Sequence, residues 1–512
     1  MSTIEAPHVA RTLMDHLPIL QVVIPLISAP LIVLIGSRKL AWGISFVFSA
    51  TAFVISCLLL AQVWGGSVIS YHIGGWAPPL GIEYRVDAAN ALILVLISAI
   101  STIVLPYAYH SVKAEIPARN HTLFYACFML CLTGLLGMVV TGDAFNVFVF
   151  LEISSLSGYV LVAQGAGQNP RALTAAYDYL IMGTIGATFF VIGLGLLYMA
   201  TGTLNMADLA GRIADQGDNR TVRAAFAFII VGLGLKVAIY PLHHWLPNAY
   251  TFAPSAVTAF IASTATKAAI FVMMRFLFSV FNPFIPGFEF EAWSLYIIFI
   301  PFSLAAMFAA SFVAIFQTNI KRLLAYSSIA QIGYMLIGFS MLNTTGVSAS
   351  LVHLFNHGIT KATLFMGVGA MVMYSGSAFF DDLKGLGRKM PLTGATMVVG
   401  GLSLMGVPGT AGFISKWVLV QAAFENGWWL LAFAIMLSSL LAVVYVWRIF
   451  EVLYLNPPAE NCTAHDPPPM MLIPMLVLSA ACIWFGFDTE LTLGTARTAA
   501  ESLMAGSAGM MQ

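Results

Sequence analysis

Residues 224–246 read AAFAFIIVGLGLKVAIYPLHHWL. This segment is long and apolar enough to cross a lipid bilayer, which takes about 20 mostly apolar residues. It nevertheless carries Lys236 in its middle and Pro241 five residues later. A charge at bilayer depth is costly and therefore indicates function, and a proline inside a helix removes a backbone donor. The segment predicts a broken transmembrane helix with a central lysine.

The composition of the whole chain agrees with a membrane location. Hydrophobic residues make up 60% of the 512 residues and charged residues 9%, whereas soluble proteins average roughly 45–50% and 25%. This excludes a chain of soluble domains, and a chain so apolar is not intrinsically disordered. Lys and Arg together number 22, as do Asp and Glu, so the chain lacks the basic excess of a nucleic-acid binder.

The sequence contains no signature of a bound cofactor. Its five cysteines form no CxxC pair and no iron–sulfur run. We also find no glycine-rich dinucleotide fingerprint after a strand and no Walker loop. We therefore predict no cofactor and no metal in this chain, and no redox chemistry of its own.

Apolar segments of spanning length recur along the chain, and we count about fourteen. Their approximate bounds are 17–36, 41–63, 87–109, 121–141, 143–164, 175–200, 224–246, 254–281, 292–316, 322–342, 347–375, 391–424, 428–455 and 468–487. The chain is therefore predicted to be an all-α integral membrane protein with about 14 transmembrane helices.

A second interruption, GVPGTAG at residues 406–412, lies just before Lys416 in predicted helix 12. Matched interruptions in two halves indicate an inverted-repeat transporter, because irregular backbone at membrane depth needs protein or water around it. Helix 12 follows helix 7 by five helices, an odd number, so the second copy must be inverted. We predict repeats of helices 4–8 and 9–13, with helices 7 and 12 broken. The corresponding units are residues 1–120 (helices 1–3), 121–291 (first repeat), 292–455 (second repeat) and 456–512 (helix 14 and tail).

The orientation follows from lysine and arginine in the short loops, which favour the cytoplasmic side. The odd-numbered loops carry most of them: Arg38, Lys39, Lys113, Arg119, Arg171, Lys321, Arg322, Lys384, Arg388 and Lys389. Loop 6–7 is the exception, because this even-numbered loop also carries arginines. The odd loops are therefore predicted to be cytoplasmic, and both termini to lie on the outer side of the cell inner (plasma) membrane.

Several ionisable residues lie inside apolar runs and are candidates for proton transfer. They are Glu152, Lys236, Lys267 and Lys416. Structural ion pairs, or lysines that snorkel from helix ends, are the alternative explanations. Arg275 lies near a helix end, where snorkelling is the favoured reading.

His353, His357 and Lys361 repeat every four residues in predicted helix 11 and so project from nearly one face. Such a stripe suits a proton wire, because histidine both gives and takes protons near neutral pH. A zinc site and ordinary core histidines are the alternatives. The zinc site lacks the glutamate of an HExxH motif. His243 and His244 follow Lys236 by two turns and either extend the polar track or cap the broken helix.

Several motifs together resemble one family: the antiporter-like membrane subunits of respiratory complex I, membrane-bound hydrogenases and Mrp-type sodium/proton antiporters. The matching segments are GWAPPLGI at 75–82 leading to Asp87, Asp143 with FLEI at 150–153, LKVAIYPLHHWLPNA at 235–249, APS at 253–255, KRLLAYSS at 321–328, HLFNHGITK at 353–361 and GFISKW at 412–417. The set Glu152, Lys236, Lys267 and Lys416 looks like the D-type subunit of Mrp antiporters or the complex I subunit nearest the quinone module. One departure is Asp178, where many relatives have a lysine before the tyrosine.

The resemblance implies proton translocation through the buried Glu, Lys and His residues. Lys236 would pair with Glu152, and Lys267 with the helix 11 stripe would pass protons to Lys416. Asp178, His243, His244 and Asp143 are candidate modulators. The implied partners are other membrane subunits, protons and sodium ions. A multi-subunit Mrp-type cation/proton antiporter is the first hypothesis, and a proton-pumping subunit of complex I or a hydrogenase-type complex is the alternative.

Overall fold

A computed structural model describes residues 12–217, 219–283, 295–458 and 463–505. The described chain is nearly all helical. The main helices are α1 Leu17–Ile35, α2 Arg38–Val63, α3 Ala88–Glu115, α4 His121–Val140, α5 Ala144–Ala163, α6 Arg171–Thr201, α7 Met206–Gln216, α8 Arg220–Val237, α9 Trp245–Phe252, α10 Ser255–Arg275, α11 Leu295–Ile315, α12 Ile320–Ser340, α13 Thr344–Ser375, α14 Pro391–Met405, α15 Ala411–Glu425, α16 Trp429–Phe450, α17 Pro469–Phe487 and α18 Thr495–Ala505.

Eleven helices of the described residues are long and apolar enough to cross a membrane. The other three predicted spans also fall on helices: α8, α13 and the pair α14–α15. These are the segments that carry Lys236, the stripe of His353, His357 and Lys361, and Lys416. The helices α14 and α15 have only 15 residues each, because the second break divides that span. The number of crossings, the inverted repeats and the domain division remain predictions. The proposed boundary at 291/292 lies outside the described residues.

Several of the connecting loops are joined in pairs by hydrogen bonds. Loops 3–4 and 5–6 meet where Asn120 Nδ2 donates to Gln164 Oε1 at 3.0 Å. Loops 9–10 and 11–12 meet where the Phe380 amide donates to the Thr318 carbonyl at 3.0 Å. Loop 4–5 bonds to loop 2–3 through the Gly142 amide, which donates to the Glu83 carbonyl at 2.8 Å. These contacts link odd-numbered loops to odd-numbered loops and an even-numbered loop to another even-numbered loop.

Both predicted interruptions are present. After α8, Ala238 adopts a left-handed conformation with φ of 64°, and helical structure resumes only at Trp245. The Trp245 indole donates to the freed Leu235 carbonyl at 2.9 Å. After α14, Gly406 has φ of 86°, a conformation that favours glycine, and α15 begins at Ala411. Each break thus leaves carbonyl groups that a polar side chain can reach.

One element departs from the all-helical expectation. Strands β1 (Ile69–His72) and β2 (Glu83–Val86) form an antiparallel hairpin in loop 2–3, in the register Ile69 with Val86. Each strand has four residues, so a search for long apolar windows passes over them. The hairpin leads directly to Asp87, which caps α3 by accepting hydrogen bonds from the amides of Ala89 and Asn90.

The expectation that Arg275 snorkels to the membrane surface is wrong. Its guanidinium binds the Asp87 carboxylate through two contacts, Nη1 to Oδ2 at 2.7 Å and Nη2 to Oδ1 at 2.9 Å. This bidentate pair ties the start of α3 to the end of α10. The two residues are 188 positions apart, and only the fold brings them together.

Candidate functional site

Lys236 lies in the last turn of α8, against the first helix break. It is 5% exposed, and its ammonium donates to the Ser155 hydroxyl on α5. It also lies over the ring of Tyr179, 5.7 Å from the centroid. The break therefore holds a lysine in a pocket of hydroxyl and aromatic groups at the centre of the first half.

Glu152 lies on α5, one turn before Ser155, and is half-buried. One of its carboxylate oxygens, Oε1, is enclosed and has no hydrogen-bond partner in the protein. The expected ion pair between Glu152 and Lys236 is not formed, because the ammonium bonds to Ser155 instead. The two groups remain close enough for a Coulombic interaction. The sequence analysis did not identify Ser155 as the hydrogen-bond partner of Lys236.

A row of four aromatic rings leads from the first half to the second. Tyr179 stacks on Trp245 at 4.1 Å, Trp245 meets Tyr250 at 6.5 Å, and Tyr250 meets Phe365 at 6.0 Å. Phe365 in turn lies 5.9 Å below the Lys361 ammonium. Tyr250 is 1% exposed, and its hydroxyl has no partner in the protein. The row thus connects the surroundings of Lys236 with those of Lys361.

Lys267 lies in the middle of α10 and is completely buried. Its ammonium donates to the Ala262 carbonyl at 2.5 Å and to the Thr266 hydroxyl at 3.2 Å. The helix α10 packs against α13, which carries His353, His357 and Lys361. Lys267 thus lies on a helix that neighbours the stripe of His353, His357 and Lys361, and its part in proton transfer stays a prediction.

The predicted stripe is buried along one side of α13. His353 binds the Ser415 hydroxyl through Nδ1 at 2.8 Å and Gln331 Oε1 through Nε2 at 2.9 Å. The His357 ring stacks parallel to it at 6.0 Å, and neither of its nitrogens has a partner in the protein. Both His353 nitrogens are engaged, so the pair does not offer the two free nitrogens of a zinc site.

Lys361 completes the stripe and donates to the Leu324 carbonyl at 2.7 Å and the Ser327 hydroxyl at 2.6 Å. Both partners are on α12, and the same side of α12 carries Gln331 and Tyr334. The sequence analysis assigned no role to this helix. The spacing of three or four residues between Leu324, Ser327, Gln331 and Tyr334 was the pattern in the sequence that could have indicated a shared face.

Lys416 lies one turn into α15, after the second break, and is 7% exposed. Its ammonium donates to the carbonyls of Leu404 and Met405 at 3.1 and 3.0 Å. These are the last residues of α14, whose carbonyls the break has freed. Lys416 also lies 5.0 Å above the Tyr334 ring. The second break therefore binds its lysine through backbone, whereas the first uses a serine.

The four candidate modulators lie outside this buried series. Asp143 caps α5 by accepting from the Asn146 amide at 2.7 Å. Asp178 is half-buried on α6 and makes no ion pair with Lys236. His243 stacks on Tyr240 at 5.1 Å within the first break, and His244 is exposed there. None of the four contacts the ammonium of Lys236.

The comparisons with known proteins agree with this architecture. Residues 141–442 match the family described as NADH:quinone oxidoreductase/Mrp antiporter, TM. The match covers more than half of the chain, which therefore belongs to this family of membrane subunits.

Individual relatives fall into both branches of the family. The chain is 37% identical to NADH-quinone oxidoreductase subunit N of Desulforudis audaxviator, over 93% of this chain and 96% of the relative. It is 27% identical to the D-type subunit of the Na(+)/H(+) antiporter of Bacillus subtilis, over 96% and 98%. Among solved structures, it is similar to a chain of the Mrp complex from Dietzia sp. DQ12-45-1b. That similarity has a TM-score of 0.87 and 25% identity, over 96% of this chain and 98% of that one.

Proposed function

We propose that this chain is the proton-translocating subunit of a multi-subunit Mrp-type sodium/proton antiporter, in the position of the D-type subunit. One observation carries the proposal: the bundle contains a series of buried ionisable groups from Lys236 to Lys416, with the half-buried Glu152 beside its first member. Ionisable groups inside membrane bundles are costly and mark ion pathways. The similarity to the D-type subunit of an antiporter and to a chain of an Mrp complex supports the same function.

In the proposed mechanism, protons move laterally between the two broken helices. Lys236 exchanges its proton according to the position of Glu152, since a nearby carboxylate favours the charged ammonium. Lys267, His357 and Lys361 then form the middle of the path. Lys416 exchanges the proton with water on one side of the membrane, because the second break disrupts the helix there.

A membrane-arm subunit of a redox-driven complex is the second candidate function. The relative with 37% identity, an NADH-quinone oxidoreductase subunit N, favours it. The redox centres of such a complex would lie in other chains, and the buried groups would act as a coupled proton path. In both cases the partners are further membrane subunits.

The chain is a multi-pass membrane protein, and we assign it to the cell inner (plasma) membrane. We place the odd-numbered loops on the cytoplasmic side, because they carry most of the loop lysines and arginines. On that basis both termini lie on the outer side.

Purification of the native complex in mild detergent, with mass spectrometry of its subunits, distinguishes the two candidates. Small membrane subunits without flavin or iron support the antiporter, and iron–sulfur or flavin subunits support the redox complex. Sodium-driven proton flux is then measured in inside-out vesicles that contain the antiporter.

The Lys236→Ala variant tests the proton path itself. We expect it to assemble with its partners and to lose proton transport, because the substitution removes the ammonium that lies against the first break. Glu152→Ala should have the same effect. Normal proton transport by assembled Lys236→Ala complex would contradict the proposed path.

A further inference from the structure

A water-accessible vestibule lies on the face of the odd-numbered loops, between the two halves of the bundle. Its volume is about 660 Å³. Residues of loops 5–6, 9–10 and 11–12 form the rim, and Arg171, Thr318 and Phe379 are exposed there. The sequence analysis counted the charges of these loops only as markers of orientation.

One cation at this vestibule is not a surface residue. Lys321, the second residue of α12, lines the cavity but is only 5% exposed. Its ammonium donates to the Ser255 hydroxyl at 3.1 Å and to the Ala253 carbonyl at 3.4 Å. Burial of a lysine whose direct partners are all neutral costs free energy. A purely structural role would not justify a buried charge at this position.

Ser255 links Lys321 to a carboxylate. The Ser255 amide and hydroxyl donate to Glu115 Oε2 at 2.8 and 3.2 Å, and Glu115 also lines the vestibule. The hydroxyl therefore accepts from the lysine and donates to the glutamate. Glu115 ends α3, Ser255 begins α10, and Lys321 lies in the first turn of α12, so three helices meet at this lysine–serine–glutamate cluster.

The same helix continues from the vestibule to the buried series. One turn after Lys321, the Leu324 carbonyl binds Lys361, and the next turn supplies Ser327 to the same ammonium. Further along the same side, Gln331 binds His353 and Tyr334 lies under Lys416. One side of α12 thus runs from the aqueous vestibule to the second break.

We propose that Lys321, held by Ser255 and Glu115, is the group through which protons pass between the vestibule and the buried series of the second half. This proposal rests on the proposed function. The ammonium gives a proton inward toward Lys361, and the neutral amine takes one back from vestibule water. Lys321, Arg322 and Arg171 outnumber Glu115 in the vestibule lining, a charge balance that disfavours sodium as the passenger.

Replacement of Lys321 by arginine separates a proton relay from a fixed charge. Arginine keeps the positive charge but does not release its proton in proteins. We expect Lys321→Arg and Lys321→Gln to slow proton flux by about 100-fold, the scale of a lost proton-transfer group. Flux is measured in vesicles containing the whole complex, and assembly is checked by copurification of the partners.

Arg322→Gln is the matched control, because Arg322 lines the same vestibule but its guanidinium lies over the Tyr326 ring, 6.0 Å from the centroid, rather than in the lysine–serine–glutamate cluster. We expect its flux to stay within about twofold of the wild type, as for an ordinary surface change. An equal loss in this variant would show that vestibule charge matters rather than a relay, and would overturn the proposal.

Ser255→Ala keeps the test decisive if the Lys321 variants fail to assemble. It removes the hydroxyl between Lys321 and Glu115, and we expect slower flux in an assembled complex. Wild-type flux in Lys321→Arg, or in Ser255→Ala, would overturn the relay while leaving the proposed function intact. Absence of proton flux in the wild-type complex would remove the proposed function, and this inference with it.

Discussion

At the scale of single residues, the buried charges differ in how they are compensated. Lys236, Lys267, Lys361 and Lys416 bind hydroxyl or carbonyl oxygens, and the structure shows no ion pair for any of these four described lysines. Arg275 is held by the Asp87 carboxylate instead. A charge satisfied only by neutral oxygens can lose its proton without leaving an opposite charge stranded. This distinction separates the candidate path from a structural ion pair.

The Asp87–Arg275 pair should therefore govern stability. Arg275→Met leaves the buried Asp87 carboxylate uncompensated, and loss of one partner of such a pair costs about 3–5 kcal/mol. The thermal unfolding midpoint of the purified complex should fall accordingly. The double variant Asp87→Asn with Arg275→Met should recover part of this loss. If the double variant is less stable than Arg275→Met alone, the ion pair is not the cause.

At the scale of elements, the two helix breaks position the two terminal lysines. Gly412, in the first turn of α15, packs directly against α14, and a Cβ atom there would overlap the Ser403 carbonyl oxygen. The contact joins the backbone of Gly412 to the backbone of Ser403, so an added Cβ atom can be accommodated only by shifting α14 or α15. The close approach brings the carbonyls of Leu404 and Met405 within reach of Lys416.

Gly412→Ala should therefore damage both stability and transport. Overpacking of a tight contact costs about 1–3 kcal/mol, and the displaced α14 would withdraw the carbonyl partners of Lys416. Gly195→Ala is the control, because a Cβ atom at that helical glycine of α6 meets nothing within 4 Å. The measurement is the unfolding midpoint of each assembled complex together with its proton flux. Equal behaviour of the two variants would contradict the importance of the contact.

At the scale of the whole molecule, the proposed path must carry protons from the surroundings of Lys236 in the first half to those of Lys361 in the second. The aromatic row from Tyr179 to Phe365 crosses the region between them. Among the rings of this row, only the Tyr250 hydroxyl is both buried and without a hydrogen-bond partner in the protein. A hydroxyl without a protein partner is free to bond to water and pass a proton. In the proposed path, the link between the halves therefore depends on one hydroxyl, that of Tyr250.

Tyr250→Phe should slow proton flux several-fold with little change in stability, because it removes a hydroxyl that has no hydrogen bond in the protein. Tyr107→Phe should instead lower stability and leave proton flux unchanged. The Tyr107 hydroxyl donates to the Met366 carbonyl at 3.0 Å, so its loss costs about 1 kcal/mol of stability but leaves the path intact. Flux and unfolding are compared for both variants. Unchanged flux in Tyr250→Phe would place the link elsewhere.

The amino-acid sequence by itself determined the class of fold and most of the candidate path. Apolar length defines a membrane helix whatever surrounds it, and a lysine in such a helix is visible without coordinates. The positions of both breaks followed in the same way, from proline and glycine next to Lys236 and Lys416. The repeat of four residues in His353, His357 and Lys361 required only the geometry of one helix.

Tertiary structure alone decided which groups meet. Ser155 beside Lys236, Gln331 beside His353 and Ser255 between Lys321 and Glu115 join different helices. Their contacts depend on how helices pack, which no local pattern records. For the same reason the sequence misjudged Arg275, whose partner lies 188 positions away, and read Lys321 as a loop charge. A local pattern specifies a helix and its unusual residues, whereas packing specifies their partners.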